Sequence, residues 1–246
     1  MIIGSRFIYS EKTGSTNSDA GRIIHNGDAV EGTIVRTGFQ SAGRGQRGNN
    51  WESEKDKNLL FSIILFPTMI RPADQFIISK VISLGIKDFL LTFIHDPKIK
   101  WPNDIFTGND KIAGILIENT ITADTISSCI AGIGLNVNQE RFSRYVPRAV
   151  SLKMLTGRDH DISWCLDRLA GCLDIRYKQL LSGENDAISS EYISSLYAID
   201  EWRQYNSAEG EFTGRIKSVS RSGCLIVENR NGRKKEYAFR EIEFIH

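Results

Sequence analysis

Hydrophobic residues recur with two different periods along the first half of the chain. Residues 32–40 (GTIVRTGFQ) are a β-branched run and residues 58–66 (NLLFSIILF) are almost continuously apolar. Both segments predict strands, and the second is expected to be buried on both faces. From residue 73 to residue 93, apolar side chains return every three or four positions, which predicts a long amphipathic helix. Residues 15–17 (STN) resemble a helix N-cap and predict a shorter helix that ends near residue 27.

The second half of the chain changes from strands to helices and back to strands. The predicted strands are residues 98–104, 111–119 and 125–138, and the predicted helices are 163–181 and 186–197. From about residue 206, short alternating strands punctuated by glycines predict a small antiparallel barrel. The pattern therefore predicts an α+β fold with two domains, residues 1–203 and 204–246, and no internal repeat.

The composition indicates that any phosphate-binding site must rest on a local group of residues and not on the net charge of the chain. The 246 residues suffice for one substantial domain and a small second one. Lys and Arg number 31 against 30 for Asp and Glu, which gives a net charge of +1. A chain this neutral has no overall field that would hold a polyanion.

Cysteine and histidine usage predicts neither a disulfide framework nor a zinc site. The cysteines form no C-x-x-C pair and stand far apart, at Cys129, Cys165, Cys172 and Cys224. The four histidines do not cluster either, so no metal-ligating residue is predicted. No signal-peptide pattern opens the sequence, and no apolar run is long enough to span a membrane. The expectation is a reduced, soluble, cytoplasmic protein.

A glycine-rich loop follows the first predicted strand. Residues 43–48 (GRGQRG) contain Arg44 and Arg47 among glycines, whose backbone N–H groups can converge on an anion. Two anionic reactants held ~4 Å apart repel by about 4 kcal/mol at an effective dielectric constant near 20, so a cationic loop would offset that repulsion. The loop is neither a Walker loop nor a dinucleotide fingerprint. Taken alone, it would equally suit a solvated basic turn.

Three later segments place polar residues at strand ends. Asn103 and Asp104 follow a Trp-Pro pair, which presents them from an extended or turned path. Lys111 stands at the mouth of an apolar strand, and Gly114 inside that strand suggests close approach of another group. Residues 132–138 (GIGLNVN) repeat the combination of glycine and amide. Turn formers, a surface lysine and packing glycines would explain each segment equally well if it stood alone.

Together and in this order, these segments resemble the catalytic domain of the biotin protein ligases. The matching elements are STN at 15–17, Gln40 with GRGQRGNNW, KWPND at 100–104, KIAGILIE at 111–118, GIGLNVN at 132–138, and VSL and TGR near 150–158. The resemblance is dense over residues 7–160. It implies a mixed, mainly antiparallel sheet with helices packed on it, as in class II synthetases, followed by an SH3-type barrel.

The resemblance also implies roles for particular residues. The biotin-binding positions are Ser15, Thr16, Asn17, Gln40, Gly43, Arg44, Lys111 and Gly114. The ATP and adenylate positions are Arg47, Trp51, Asn103, Lys111, Gly132, Ile133 and Asn136. The residues expected to take part in catalysis are Lys111, Arg44, Arg47 and Asp104.

The sequence departs from a common form of the family in the loop. Many members have further basic residues where this chain has Gln46 and Asn49. Fewer cations then face the phosphates, which shifts weight to Arg44, Arg47 and Lys111. The sequence also begins almost directly with the catalytic segments, so no winged-helix domain and no DNA-binding role are expected. The family often dimerises through its sheet, which makes a homodimer an expectation here.

The implied reaction has two steps and needs ATP, biotin and Mg²⁺. The biotin carboxylate attacks the α-phosphate of ATP to give biotinyl-5′-AMP and pyrophosphate, with Lys111 stabilising the phosphorus centre. A lysine of a biotin carboxyl carrier protein then attacks the mixed anhydride, and Asp104 is the nearest acceptor or orienting group for its proton. Magnesium is expected to be held mainly by phosphates and water.

Two alternatives are an enzyme of the same fold and a protein of another class. An enzyme of the same fold could attach lipoate or octanoate, but those chains need an apolar tunnel, whereas Gln40, Ser15 and Thr16 suit a ureido ring. Octanoyl transfer would also need a cysteine in the site, and no motif segment contains one. The other alternative is a non-catalytic module whose barrel binds a peptide or nucleic acid. Its basic run at 230–235 has little aromatic interleaving, which disfavours nucleic acid.

Overall fold

The computed structural model describes residues 1–143 and 148–245, with residue 47 described by its backbone alone. The first elements are β1 (Phe7–Ser10), α1 (Thr16–His25), β2 (Ile34–Thr37), β3 (Asn58–Leu65), α2 (Phe76–Leu90), β4 (Lys98–Lys100), β5 (Asp104–Thr107), β6 (Asp110–Thr122), β7 (Thr125–Asn136), α3 (Leu152–Thr156), α4 (Ile162–Leu181) and α5 (Asn185–Ser194). The later strands are β8 (Trp202–Ser207), β9 (Gly210–Val219), β10 (Leu225–Asn229), β11 (Lys234–Tyr237) and β12 (Ile242–Phe244). Two short 3-10 helices span Gln46–Gly48 and Pro72–Asp74.

A seven-stranded sheet forms the centre of the molecule, in the order β1-β2-β3-β7-β6-β5-β4. Only β1 and β2 run parallel, and every other neighbouring pair is antiparallel. A second sheet is wholly antiparallel, in the order β11-β10-β9-β8-β12. The predicted class, α+β with a mixed and mainly antiparallel sheet followed by a small β structure, is confirmed.

The two faces of the central sheet carry different helices. Along β3, Leu59, Phe61 and Ile63 point into the main core, which includes α2 and α4. Ile64, one residue further along, packs instead with Ala20 of α1. Successive side chains of a strand point to opposite faces, so an apolar run without alternation is covered on both sides. The strand is buried along its whole length, as its sequence predicts.

The second sheet packs against the end of the first. The Trp101 indole N–H donates to the carbonyl of Gly223 at 2.9 Å, and its ring meets that of Phe239 edge to face. The sheet begins at Trp202, two residues before the predicted boundary at residue 204. The division into domains 1–203 and 204–246 stays a prediction.

Several element bounds differ from the sequence prediction. The helix predicted from residue 73 begins at Phe76, because a 3-10 turn that starts at Pro72 precedes it. The segment 98–104 is not one strand: β4 ends at Lys100, and a turn with a cis Trp101–Pro102 bond leads into β5. The short elements β1 and α3 show no hydrophobic periodicity in the sequence and were not predicted. In the described parts of the chain, no helix has the length and apolar character needed to cross a membrane.

Two helix glycines give a matched test of the α2–α4 packing. A Cβ atom at Gly85 would lie 2.8 Å from Leu173 Cδ2 and 3.1 Å from Leu173 Cα, whereas one at Gly171 meets nothing within 4 Å. We expect Gly85→Ala to lower the free energy of unfolding by about 1–3 kcal/mol, because the helices must move apart. Gly171→Ala should raise it by up to ~1 kcal/mol through helix propensity. Urea denaturation measures both, and a Gly85→Ala protein as stable as the wild type would contradict the close packing.

Candidate active site

Most of the residues singled out by the motifs line one cleft on the central sheet. The cleft has a volume of about 270 Å³. Its lining includes twelve predicted residues: Ser15, Thr16, Asn17, Gln40, Arg44, Trp51, Asn103, Asp104, Lys111, Gly114, Gly132 and Ile133. These residues come from a helix start, a loop, a turn and three strands, so only the tertiary fold brings them together.

Glycines form the floor of the cleft and allow other groups to approach the strands. A Cβ atom at Gly132 would lie 2.2 Å from Asn17 Oδ1, and one at Gly134 would lie 2.3 Å from Trp51 Cε2. Gly114, which pairs with Gly134 across the sheet, also lies under the Trp51 ring. Any side chain at these positions would fill the space, which explains glycine inside otherwise apolar strands.

A cluster of hydroxyl and amide groups lies where α1 begins. Thr16 donates from its backbone N–H and its Oγ1 to Gln40 Oε1, at 2.8 and 3.1 Å. The Ser62 hydroxyl of β3 lies 2.7 Å from Thr16 Oγ1 and 2.6 Å from Asn17 Oδ1. Ser15 occupies the predicted N-cap position, but its side chain makes no capping hydrogen bond and borders the cleft instead. The cluster is buried and already oriented, as a polar ligand requires.

The glycine loop is tied to the sheet through a carboxylate. Arg44 donates from both terminal nitrogens to Glu118, at 3.0 and 2.9 Å. Asn17 Nδ2 donates to the same carboxylate at 2.7 Å. Glu118 of β6 therefore connects the loop with the start of α1 across the cleft. The two-point geometry fixes the direction of the guanidinium more firmly than a single contact would.

Trp51 closes the loop and occupies part of the cleft. Its backbone N–H donates to the Gly43 carbonyl at 3.0 Å, and its indole lies on Gly114 and Gly134. The indole N–H is buried and has no hydrogen-bond partner among the described residues. The Lys111 ammonium lies 5.5 Å from the centre of a Trp51 ring, within reach of a cation–π interaction.

A β-bulge directs Lys111 into the cleft. Residues three apart on a regular strand point to opposite faces, so Lys111 and Gly114 should not meet. The register between β5 and β6 shifts by one residue in this hairpin, and Lys111 Nζ comes within 3.3 Å of a Cβ built on Gly114. Lys111 Nζ also lies 2.7 Å from Asp104 Oδ1. The contact is an ion pair without hydrogen-bond alignment, because Oδ1 has no hydrogen-bond partner in the described residues.

Four of the predicted site residues do not place a described side chain in the cleft. Gly43 lies at the neck of the loop, where a Cβ would be 2.4 Å from the Trp51 carbonyl oxygen, and does not line the cleft. Ile133 borders the cleft, but its side chain belongs to the core. The Asn136 amide is buried and donates to the Val150 carbonyl at 3.0 Å, and its predicted contact with the adenylate stays a prediction. The side chain of Arg47 lies outside the described residues.

Sequence reasoning missed four residues of this region. Ser62 could have been found from the sequence, since it places a hydroxyl within an apolar strand. Glu118 ends the KIAGILIE motif but was given no role. Phe239 lines the cleft from the second sheet, and no sequence pattern pointed to it. Lys100 lies among aromatic rings, 4.6 Å from the centre of Phe106, and burial lowers the pKa of its ammonium while Asp104 acts in the opposite direction.

Comparisons with known proteins point to one family and one fold. A family model described as "Biotin/lipoate A/B protein ligase family" matches residues 13–137. A bifunctional ligase/repressor BirA of Bacillus spizizenii is 28% identical over 241 residues, 96% of this chain and 74% of the relative. A biotin–[acetyl-CoA-carboxylase] ligase of Mycobacterium tuberculosis is 28% identical over 226 residues, 89% and 82% of the two chains. A solved biotin protein ligase from Aquifex aeolicus, in complex with biotin and ATP, has a TM-score of 0.80 at 24% identity and covers 97% of this chain and 98% of that one.

The position of Trp51 can be tested by filling the floor beneath it. Gly134→Ala should displace the indole from the cleft, because the added methyl carbon would lie 2.3–2.8 Å from three of its ring atoms. We expect tryptophan emission at longer wavelength and stronger quenching by acrylamide. The same substitution in a Trp51→Phe background should change neither. If quenching is unaltered in the wild-type background, the indole does not lie on Gly134.

Proposed function

The chain belongs to the biotin/lipoate A/B protein ligase family, and we propose that its reaction is the ATP-dependent ligation of biotin to a lysine of a carrier protein. The resemblance predicted from the motifs and the ligase class are confirmed by this membership. Biotin is the substrate named for relatives that cover most of the chain, and biotin and ATP occupy the Aquifex aeolicus structure. The residue roles given below are part of the proposal.

One observation carries the proposal: cations and a polar cluster open onto the same cleft. A biotin carboxylate and the triphosphate of ATP are both anionic, and ~4 Å between two such charges costs about 4 kcal/mol at an effective dielectric near 20. Arg44 and Lys111 both line the cleft and can offset this repulsion. Positioning and charge neutralisation are sufficient for adenylation, since the biotin carboxylate itself is the nucleophile.

The polar cluster at the start of α1 suits the ureido head of biotin. That head presents a carbonyl oxygen and two N–H groups, which need donors and acceptors held in place. We assign this role to Ser15, Thr16, Asn17 and Gln40, with Ser62 holding Thr16 and Asn17 from below. Gly114 and Arg44 then border the path toward the carboxylate. A lipoyl or octanoyl chain would cover these polar groups with apolar atoms and offer them no hydrogen bond, which is unfavourable.

We assign the nucleotide to the part of the cleft that Asn103, Trp51 and Lys111 line. Gly132 stays a predicted nucleotide contact, although it lies beside Asn17 of the polar cluster. We propose that the Trp51 indole leaves the strand glycines when biotin enters and packs beside the adenine. Lys111 would exchange part of its ion pair with Asp104 for the α-phosphate, where negative charge accumulates in the transition state. Arg47 and the backbone at Ile133 remain predicted nucleotide contacts, and Asn136 would need a rearrangement to make one.

In the second step, the amine of a carrier lysine attacks the mixed anhydride. The amine must lose a proton, and Asp104 lies at the cleft with an oxygen that accepts no hydrogen bond from the described residues. We propose Asp104 as the group that orients this amine or accepts its proton. The partner is a biotin carboxyl carrier protein of a biotin-dependent carboxylase, in keeping with the names of the relatives.

The donor set of the cleft fits Mg²⁺ that arrives with ATP. Asp104 is the single carboxylate among the cleft-lining residues that the structure describes, and Asn103 adds an amide. Magnesium usually binds through one or two carboxylates together with phosphates and water, so these residues would complete its coordination. When bound, it would neutralise phosphate charge.

The cysteines disfavour the octanoyl-transfer alternative. Cys129 is fully buried in β7, and burial raises the pKa of its thiol to about 12. Cys165 is also buried, in α4, with a thiol pKa raised to about 11 by the same cause. None of the four cysteines lines the cleft. A covalent thioester route would need a thiolate at the reacting carbonyl.

The proposal predicts biotin-dependent exchange between ATP and pyrophosphate. Biotin should support exchange with kcat/KM at least ~100-fold above lipoate or octanoate, because the polar cluster rejects acids that cannot pair with it. A carrier domain should gain the mass of one biotinyl group, and its lysine-to-arginine variant should gain none. If lipoate supports exchange as efficiently as biotin does, the protein is a lipoate ligase and the proposal is wrong.

Lys111 can be tested against a lysine of the same sheet region. We expect Lys111→Ala to lower the rate of biotin-dependent pyrophosphate release by ~10²-fold or more, with a small change in the KM for biotin, because its charge acts in the transition state. Lys98→Ala is the matched control, since Lys98 pairs with Asp96 at 2.8 Å and does not line the cleft. Near-normal release by Lys111→Ala would refute the role.

A further inference from the structure

A second groove shares no lining residue with the cleft. Its volume is about 630 Å³, and α2, the end of α4, the start of α5 and the end of β9 surround it. Its apolar wall consists of Met69, Ile70, Ile77, Leu180 and Val219. The proposed ligase reaction uses none of these residues.

Lys80 lines this groove and is buried without a counter-ion. The residue is only 5% exposed, on the inner face of α2. Its Nζ donates to Ser189 Oγ at 2.9 Å and lies 6.0 Å from the centre of the Tyr192 ring. No carboxylate in residues 1–143 and 148–245 lies within ion-pair distance of it. An ammonium has three N–H donors, so a buried lysine with one acceptor retains unused donors.

Lysine is an unusual choice for this position. An interior ammonium is normally paired with a carboxylate or replaced by an apolar side chain, because desolvation disfavours the charge. Burial accordingly lowers the pKa of Lys80, and no neighbouring charge opposes the shift. A ligand anion in the groove would supply the missing counter-charge.

The other charges of the groove limit the charge of that anion. Arg71 and Arg221 stand at the rim, and both donate to the carboxylate of Asp74, Arg221 Nη2 at 2.7 Å and Arg71 Nε at 3.2 Å. Asp186 is the second acid of the lining. Three cations and two carboxylates leave one net positive charge, which matches a single negative charge and not a multiply charged phosphate.

We propose that this groove binds a short aliphatic monocarboxylate, whose carboxylate accepts hydrogen bonds from Lys80 while its chain lies on the apolar wall. The carboxylate accepts hydrogen bonds from the unused N–H groups of Lys80, whose side chain is only 5% exposed, so the pair is stronger than one between fully solvated groups. The chain covers apolar side chains from the helices and from β9. Bound ligand therefore connects the helices with the second sheet.

Calorimetric titration of the full chain with three probes tests the proposal. Hexanoate carries both features, hexanol lacks the charge and inorganic phosphate lacks the chain. We expect hexanoate to bind at least ~10-fold more tightly than either of the others, since each lacks one of the two contributions. Absence of hexanoate binding, or equal binding of phosphate, overturns the proposal.

Variants assign the binding to this groove. Lys80→Met should weaken hexanoate binding at least ~10-fold, because the charged hydrogen bond is lost while the shape is kept. Lys87→Met, on the same helix and outside the groove, should leave it unchanged. Asp186→Asn, an exposed substitution, should tighten it by removing a negative charge at the rim, which provides a test if Lys80→Met does not fold. Equal affinities for the wild type, Lys80→Met and Asp186→Asn would refute the site.

Discussion

The cleft depends on strand positions that have no side chain. On β6 and β7 the residues facing the start of α1 include Gly114, Gly132 and Gly134, and other groups approach each of them to distances that a Cβ atom would forbid. The sheet is therefore locally thin at its centre, while the neighbouring residues on the opposite face, such as Leu135 and Ala113, remain in the core. Binding space is thus created without weakening the apolar layer that supports it.

Carboxylates orient two cations of the cleft, Arg44 and Lys111. Arg44 is directed by Glu118, and Lys111 by Asp104, in ion pairs that are only partly exposed. Without Glu118, the Arg44 guanidinium would lack a fixed direction. In the proposed reaction, a substrate anion would exchange one partner for another and would not have to order free side chains. Preorganisation of this kind reduces the cost of binding and keeps donors aimed at the developing charge.

Trp51 and Phe239 wall the cleft from outside the central sheet. The indole rests on strand glycines, and its N–H has no partner in the described residues. Phe239 approaches from the second sheet, where Trp101 connects the two sheets through Gly223. These two walls thus come from a loop and from the second sheet, whereas the polar cluster is built on α1 and β3. In the proposed reaction, the polar cluster would recognise biotin and the other walls would cover the reacting bond.

The sequence alone determined the main elements, the class of fold and most of the residues in the cleft. Apolar periodicity is a local property, so β3, α2 and α4 were predictable nearly to their ends, and the order of the motifs identified the family. Tertiary structure decided which groups meet. The bulge that turns Lys111 toward Gly114 depends on the register of the β5–β6 hairpin, whereas the carboxylate of Glu118 near Arg44 and the bond that draws Asn136 to Val150 depend on how segments further apart in sequence meet. A shift of one residue reverses the face of every side chain in a strand, and hydrophobic alternation alone does not show where a bulge makes that shift.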